Sequence, residues 1–224
     1  MENKSIAIIG GTGALGSGLA ARWAKAGHTV IIGSRDGDRA SQSAKQLGDS
    51  IGVEILGMEN AQAAAAGGLV VLTVPYSNHQ STLELIQPHV DDKIVVDVTV
   101  PLMPPKVRTV QLPEPGSVVK GAQNFLGKDV RVVSAFQNVA ATHLADLDHD
   151  IDCDVLVCGN DPKARQTVID LAEDASMRAW HAGRIDNSAV AEALTSVLIF
   201  MNGHYKIDGA GIKIMGKPGS AEKE

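Results

Sequence analysis

The chain has 224 residues, more than one minimal domain needs and fewer than two full ones use. Hydrophobic residues make up 44% and charged residues 21%, enough for a real core, but only 3 Phe, 2 Trp and 2 Tyr stand against 23 Gly. That shortage of aromatics, with a net charge of −6, argues against a stacking platform for single strands and against a generic binder of nucleic-acid phosphates.

The core must therefore be aliphatic with many close backbone approaches, as in a parallel sheet buried under helices. Met1-Glu2-Asn3-Lys4 carries no basic leader pattern, so no signal peptide is expected. The longest uncharged apolar stretch, Ala63 to Val74, is 12 residues, against about 20 for a bilayer span. A soluble, cytoplasmic chain with no membrane or nucleic-acid partner is expected.

In chain order, the Val- and Ile-rich runs Ser5–Gly10, Thr29–Gly33, Val53–Leu56, Leu69–Val74 and Lys93–Val98 predict short strands. Between them Ala14–Ala26, Arg39–Leu47, Asn60–Ala66 and Gln80–Gln87 predict helices. On the first of these, Leu15, Leu19 and Trp23 form a core-facing stripe. Apolar strands with helical crossovers mean βαβ units and a Rossmann-type, doubly wound parallel sheet. The proline-crowded segment Pro101–Pro115 predicts a loop lining a cleft. A helix near Gly116–Leu126 follows, then strands at Val130–Ala135 and Asp154–Gly159, a helix at Pro162–Ala175, a strand near Arg178–Ala182 and a helix near Ser188–Met201. The expected organisation is a nucleotide-binding domain over 1–128, a small C-terminal α/β domain over 129–216 covering a cleft, and a polar, frayed tail at Lys217–Glu224.

The strongest chemical signal is Gly11-Thr12-Gly13-Ala14-Leu15-Gly16, a GxGxxG that follows a strand and opens a helix. Gly11 suits the tight turn, Gly13 lets backbone approach a pyrophosphate, and Gly16 lets helix and strand pack closely. The helix N-terminus supplies free N–H groups and a favourable dipole for the anion. The end of the second strand selects the dinucleotide. An NAD site places Asp or Glu there for the ribose 2′-hydroxyl. Here it reads Gly33-Ser34-Arg35, with Arg39 four residues on. A hydroxyl and a forked, permanently charged guanidinium suit a 2′-phosphate, so NADP(H) is the expected cofactor. Asp36 and Asp38 temper the local field.

The other candidates are weaker. His79 falls just past the fourth strand, where it could meet a ligand or cap its helix. The seven histidines show no zinc spacing. The Asp146–Asp154 alternation lacks the Gly and Glu of a calcium loop and predicts a solvated connector. Cys153 and Cys158, five apart on a strand, point to opposite faces and predict two inert thiols. No metal site and no catalytic acid or nucleophile is expected.

With these residues in hand, the chain resembles the family of NADPH-dependent oxidoreductases of the deazaflavin coenzyme F420. The resemblance runs over nearly the whole length. It is carried by Gly10–Gly16, Gly33–Arg35, Thr73-Val74-Pro75-Tyr76 with His79, Val98–Pro101, Ser134–Ala141, Asp152–Gly159 and Gly211–Ile214. It implies that Thr12 to Leu15 cradle the pyrophosphate, that Ser34, Arg35 and Arg39 hold the 2′-phosphate, and that Val74, Pro75, His79, Val100 and Ala141 line the nicotinamide side. It implies that Gln137, Asn138, Val139, Ala210, Gly211 and Ile212 pack against the deazaflavin, and that the chain is a homodimer. Gln137 stands where archaeal members commonly have His, and Ala210 where they have a bulkier apolar residue. Direct hydride transfer between nicotinamide C4 and the deazaflavin C5 asks the protein mainly to stack two flat rings and exclude water. Two other readings stay open on the residues alone: an NADPH-dependent reductase of another acceptor (flavin, quinone, imine or carbonyl), and an NADPH-binding sensor without turnover.

Overall fold

Period-two alternation along the strands sends neighbouring side chains to opposite faces, and here both faces are apolar, so helices must cover both. A computed structural model describes residues 3–216 and Gly219, which leaves the expected Lys217–Glu224 tail, apart from Gly219, outside the described residues. The first half runs β1 (Ser5–Ile9), α1 (Ala14–Lys25), β2 (Thr29–Ser34), α2 (Gly37–Ile51), β3 (Leu56–Glu59), α3 (Asn60–Ala66), β4 (Leu69–Leu72), α4 (His79–Ile86) and β5 (Ile94–Asp97). The second half runs α5 (Val118–Leu126), β6 (Arg131–Ser134), α6 (Ala141–Ala145), β7 (Asp154–Gly159), α7 (Pro162–Asp174), β8 (Arg178–His181) and α8 (Ser188–Tyr205).

The strands form an eight-stranded sheet in the order β3-β2-β1-β4-β5-β6-β7-β8. It is parallel from β3 to β6, β7 joins β6 antiparallel through Val133↔Gly159 and Ser134↔Cys158, and β7-α7-β8 is one more parallel unit. This is the expected doubly wound Rossmann-type sheet with one antiparallel join. Residue 128 falls between α5 and β6, and β6 pairs in register with β5 from Ile94↔Arg131 to Asp97↔Ser134, so the sheet runs on past that position.

One face buries Ile6, Ile8, Val30 and Ile32 under Leu19, Trp23 and Ala44 of α1 and α2. The other buries Ala7, Ile9, Val70 and Val95 under Ala63, Leu83 and Ile86 of α3 and α4. Trp23 is fully buried, donates from Nε1 to the Leu171 carbonyl at 2.7 Å and meets Phe136 edge-on at 5.8 Å between ring centroids. That one side chain ties α1 to α7 and to the end of β6.

The expected strand at Val53–Leu56 is displaced to Leu56–Glu59. Helix α2 runs four residues beyond its expected end, Gly52 stops it in a left-handed conformation (φ 70°), and pairing with β2 begins only at Ile31↔Leu56. Val53 belongs to the connection, its N–H returning to the Gly48 carbonyl at 3.1 Å. Helix α6 was not expected. It exists because α1 leaves room for it: a Cβ on Gly18 would lie 2.6 Å from Leu144 Cβ. Arg22 then donates to the carbonyls of His143, Leu144, Asp146 and His149.

Candidate active site

Strand order reverses at β1: β2 lies on one side and β4 on the other. The crevice beyond the carboxyl ends of β1 and β4 is therefore the place where an open α/β sheet binds ligands. A cleft of about 690 Å³ lies there, lined by Gly10, Thr12, Gly13 and Leu15 after β1, by Ser34, Arg35 and Arg39 after β2, and by Val74, Pro75 and Val100 after β4 and β5. Nine of the expected cofactor-site residues thus meet in one hollow: Thr12, Gly13, Leu15, Ser34, Arg35, Arg39, Val74, Pro75 and Val100.

The glycine loop is built as its spacing implies, with one shift of role. The positive φ of the turn falls on Gly10 (77°) rather than Gly11. Gly11 is needed for room: its N–H donates to the carbonyls of Ile8 and Gly33, and a Cβ would lie 2.7 Å from the Ile8 carbonyl oxygen. At Gly16 a Cβ would lie 2.7 Å from both Gly11 Cα and Thr73 Oγ1, so α1 packs directly on the turn and on the start of the β4 loop. Gly11 and Gly16 shape the cleft without lining it, and Ala14 is exposed at the start of α1. Gly13 is the N-cap of α1, with no side-chain cap and no acidic residue in the first turn. The orphan N–H groups and the positive end of the helix dipole are left for an anion.

At the end of β2, Ser34 is buried while Arg35 and Arg39 are exposed. Asp36 also lines the cleft, but its Oδ1 is engaged, accepting the Arg39 N–H at 3.0 Å and capping α2. The cap starts α2 where Arg39 falls in its first turn, on the rim of the cleft. At the strand end, where an NAD site has its carboxylate, stand a hydroxyl and two guanidinium groups.

His79 is placed differently. Its ring is buried, with Nε2 at 2.7 Å from Asp97 Oδ2, and it lines a neighbouring 280 Å³ hollow with Tyr76, Gln80 and Ser117 rather than the main cleft. Desolvation opposes a charged ring, but the hydrogen bond and charge of Asp97, with the charge of Glu192, outweigh it and raise the His79 pKa. Glu192, buried on α8, accepts the N–H groups of Val118 and Val119 at 2.7 and 3.1 Å. Burial pushes its carboxyl up to about 7, against the pull of those two donors.

Gln137, Asn138, Val139 and Ala210 meet in a second, smaller hollow of 120 Å³ with Thr195, Leu198 and Asn202 of α8. Asn138 donates to the Ala191 carbonyl at 2.8 Å, and Thr195 Oγ1 donates to the Gln137 carbonyl at 2.9 Å. Gln137 Nε2 donates to the Asp97 carbonyl at 2.8 Å, one residue before Val98 enters the wall of the main cleft. The walls of the two hollows are thereby joined. Gly211 and Ile212 stand just behind Ala210: Gly211 packs on Cys153, and the Ile212 carbonyl accepts the Asp154 N–H at 2.8 Å. Ala141 begins α6 and lines neither hollow.

Sequence reasoning missed Asn60, Thr73, Asn78, Thr82 and Val98 in the main cleft. Asn60 is buried at the first position of α3, beyond β3, and its Oδ1 accepts the Gly10 N–H at 3.4 Å. A polar residue opening a helix at the carboxyl edge of the sheet was the signal available.

A family model for coenzyme F420-dependent NADP oxidoreductases matches residues 5–101. The F420-dependent NADP reductase of Methanocaldococcus jannaschii is 44% identical over 218 residues, 93% of this chain and 97% of the relative. The chain belongs to this family. That of Methanothermobacter thermautotrophicus is 39% identical over 95% of each chain. Among solved structures, a proposed F420-dependent NADP reductase from Arthrobacter sp. FB24 superposes with a TM-score of 0.80 at 26% identity, covering 96% of this chain and all of that one. An imine reductase from Myxococcus stipitatus, at 17% identity and a TM-score of 0.64, shares the fold, and this chain covers 62% of its length. In the family member described here, burial raises Cys153 and Cys158 to about 11, so both free thiols are poor nucleophiles. Among the described residues no helix is long and apolar enough to cross a membrane, and no group of side chains has the make-up of a metal site.

Proposed function

We infer that this chain transfers a hydride between NADP(H) and the deazaflavin coenzyme F420. The observation that carries the reading is the junction of the two hollows. A cleft with an uncapped helix N-terminus, Ser34, Arg35 and Arg39 at one end leads along Val74, Val98 and Val100 to a strand end whose Asp97 carbonyl holds Gln137, a wall of the second hollow. The full-length similarity to F420-dependent NADP reductases supports the same pairing of substrates.

NADP(H) brings the transferable hydride, so the chain has only to bind, orient and shield. The α1 N-terminus and Thr12 to Leu15 hold pyrophosphate, and Ser34, Arg35 and Arg39 hold the 2′-phosphate. The apolar side chains of Val74, Pro75 and Val100 give the nicotinamide a dry wall, Gln137 to Val139 with Ala210 face the second ring, and Gly211 and Ile212 back Ala210 from behind. His79 and Ala141 support this arrangement from outside the cleft. Residues 129–216 work as the cover of the cleft and 1–128 as its nucleotide-binding floor. The chain works as a homodimer in the cytoplasm, a reading favoured by the exposed apolar row Val190, Val197 and Phe200 on α8 and by two free thiols suited to a reducing compartment.

Mixing the purified protein with NADPH and oxidised coenzyme F420 tests the reading. Loss of deazaflavin absorbance matching NADPH oxidation supports it. No loss, alongside rapid NADPH oxidation with another acceptor, overturns it, as does tight NADPH binding with no turnover on any acceptor.

A further inference from the structure

After α8 the chain turns back on itself. Lys206 and Gly209 take left-handed conformations (φ 58° and 73°), and the segment from Ala210 onward runs alongside the start of β7. Only its first residue lines the 120 Å³ hollow: Ala210, whose N–H donates to Asn202 Oδ1 at 2.8 Å. The rest is a strap whose fastening lies behind the hollow.

That fastening is one buried carboxylate. Asp154, the first residue of β7, is 3% exposed. Arg178 of β8 donates to it through Nε at 2.7 Å and Nη2 at 2.6 Å, and Trp180 Nε1 donates at 2.9 Å. Its remaining capacity goes to the strap: the Ile214 N–H donates to Oδ2 at 2.6 Å, while the Asp154 N–H donates to the Ile212 carbonyl at 2.8 Å. Arg178 Nη2 also reaches the Ile214 carbonyl at 3.2 Å, and Lys213 pairs with Asp152. The strap lies close because Gly211 has no side chain, a Cβ there falling 2.6 Å from Cys153 Cβ. Desolvation opposes the Asp154 charge, yet the Arg178, Ile214 and Trp180 donors outweigh it and hold its pKa below the ordinary carboxylate value.

We propose that Asp154 is a positioning residue for the second substrate: it clamps the C-terminal strap through the Ile214 N–H and so fixes Ala210, backed by Gly211, as one wall of the deazaflavin site. This rests on the reading of the small hollow as that site. The clamp touches neither substrate and lies on the far side of β6 from the glycine loop in strand order, so it acts on one substrate only.

Two variants test it: Asp154→Asn, and Ile214→Pro, which removes the strap's N–H donor and leaves Asp154 with Arg178 and Trp180. Both are expected to raise KM for coenzyme F420 about tenfold, the scale of one charge-assisted hydrogen bond, with NADPH affinity and kcat at saturating F420 retained. A merely structural role lowers Tm without that split between the two substrates. Should Asp154→Asn fail to fold, Ile214→Pro carries the test, because its side chain is partly exposed. Ala210→Leu, which alters the hollow itself, serves as the control. If both clamp variants bind NADPH normally and leave KM for F420 unchanged while Ala210→Leu moves it, the clamp is overturned and the site stands. If Ala210→Leu also leaves that KM unchanged, the assignment of the hollow falls and the clamp with it.

Discussion

His79 Nε2 lies 2.7 Å from Asp97 Oδ2 with both side chains shut away from solvent, and Glu192 is the third ionisable group of the same buried cluster. Its position joins three parts of the molecule: His79 opens α4, Asp97 ends β5 and Glu192 caps α5 from α8. The Glu192 carboxyl is raised from 4.5 to about 7. The folded chain therefore holds that proton more tightly than the unfolded chain. Its contribution to stability is complete below about 4.5 and is lost as pH rises through about 7. His79, also raised, acts with the same sign. Glu192→Gln should flatten the fall in stability across that window by about one proton, worth about 3 kcal/mol well above it. Denaturant melts of both proteins at a series of pH values measure this. Parallel profiles would rule out Glu192 as the titrating group.

Arg22 makes a second long-range tie, and its loss should be severe. From α1 its guanidinium reaches five backbone carbonyls, those of His143, Leu144, Asp146, His149 and Ala175, at 2.7 to 3.3 Å, and it is 6% exposed. Arg22→Met keeps most of the volume but leaves buried acceptors without donors, a loss of about 3 kcal/mol. The 143–149 segment should then become the first site of limited proteolysis. Unchanged stability and cleavage pattern would show that water replaces the guanidinium at no cost.

These ties explain what could be read from the sequence. The sheet order around β1, the glycine loop and Ser34-Arg35 rest on short-range patterns: alternating apolar runs, a GxGxxG at a strand-to-helix turn, a missing carboxylate at a strand end. The inward turn of His79 was not legible, because Asp97 and Glu192 lie in other elements. Helix α6 depends on Gly18 and Arg22, more than a hundred residues earlier. Strand β3 was misplaced because Val53-Glu54-Ile55 has the stronger strand propensity, while Leu56-Gly57-Met58-Glu59 is a strand only through its pairing with β2. The Asp154 clamp needs three segments brought together by the finished sheet.

Gly16→Ala tests the close packing under the glycine loop. The added methyl would stand 2.7 Å from Gly11 Cα and from Thr73 Oγ1, and the Gly11 side is backbone that cannot rotate away. The turn must shift, displacing the Gly13 end of α1 from the anion site. NADPH affinity should fall at least tenfold, with about 1–3 kcal/mol of stability lost to overpacking. Titration of NADPH fluorescence beside a thermal melt separates the two effects. Full affinity would mean that the loop relaxes freely.

Arg35→Ala decides the choice of dinucleotide. Arg35 is exposed on the rim of the cleft beside Ser34, and Asp36, which lines the same cleft, has its Oδ1 engaged with the Arg39 N–H. A guanidinium there can fork onto a 2′-phosphate, but it has no comparable partner in NADH. Its removal should weaken NADPH by about tenfold, the low end for a charged hydrogen bond because the site is solvent-facing, and leave NADH nearly unchanged. Ser34→Asp should go further, setting a carboxylate against the phosphate and offering one to the ribose hydroxyl, so that the preference moves toward NADH. Dissociation constants for both nucleotides on both variants provide the check. An equal loss for NADPH and NADH on Arg35→Ala would move the 2′-phosphate site away from the end of β2.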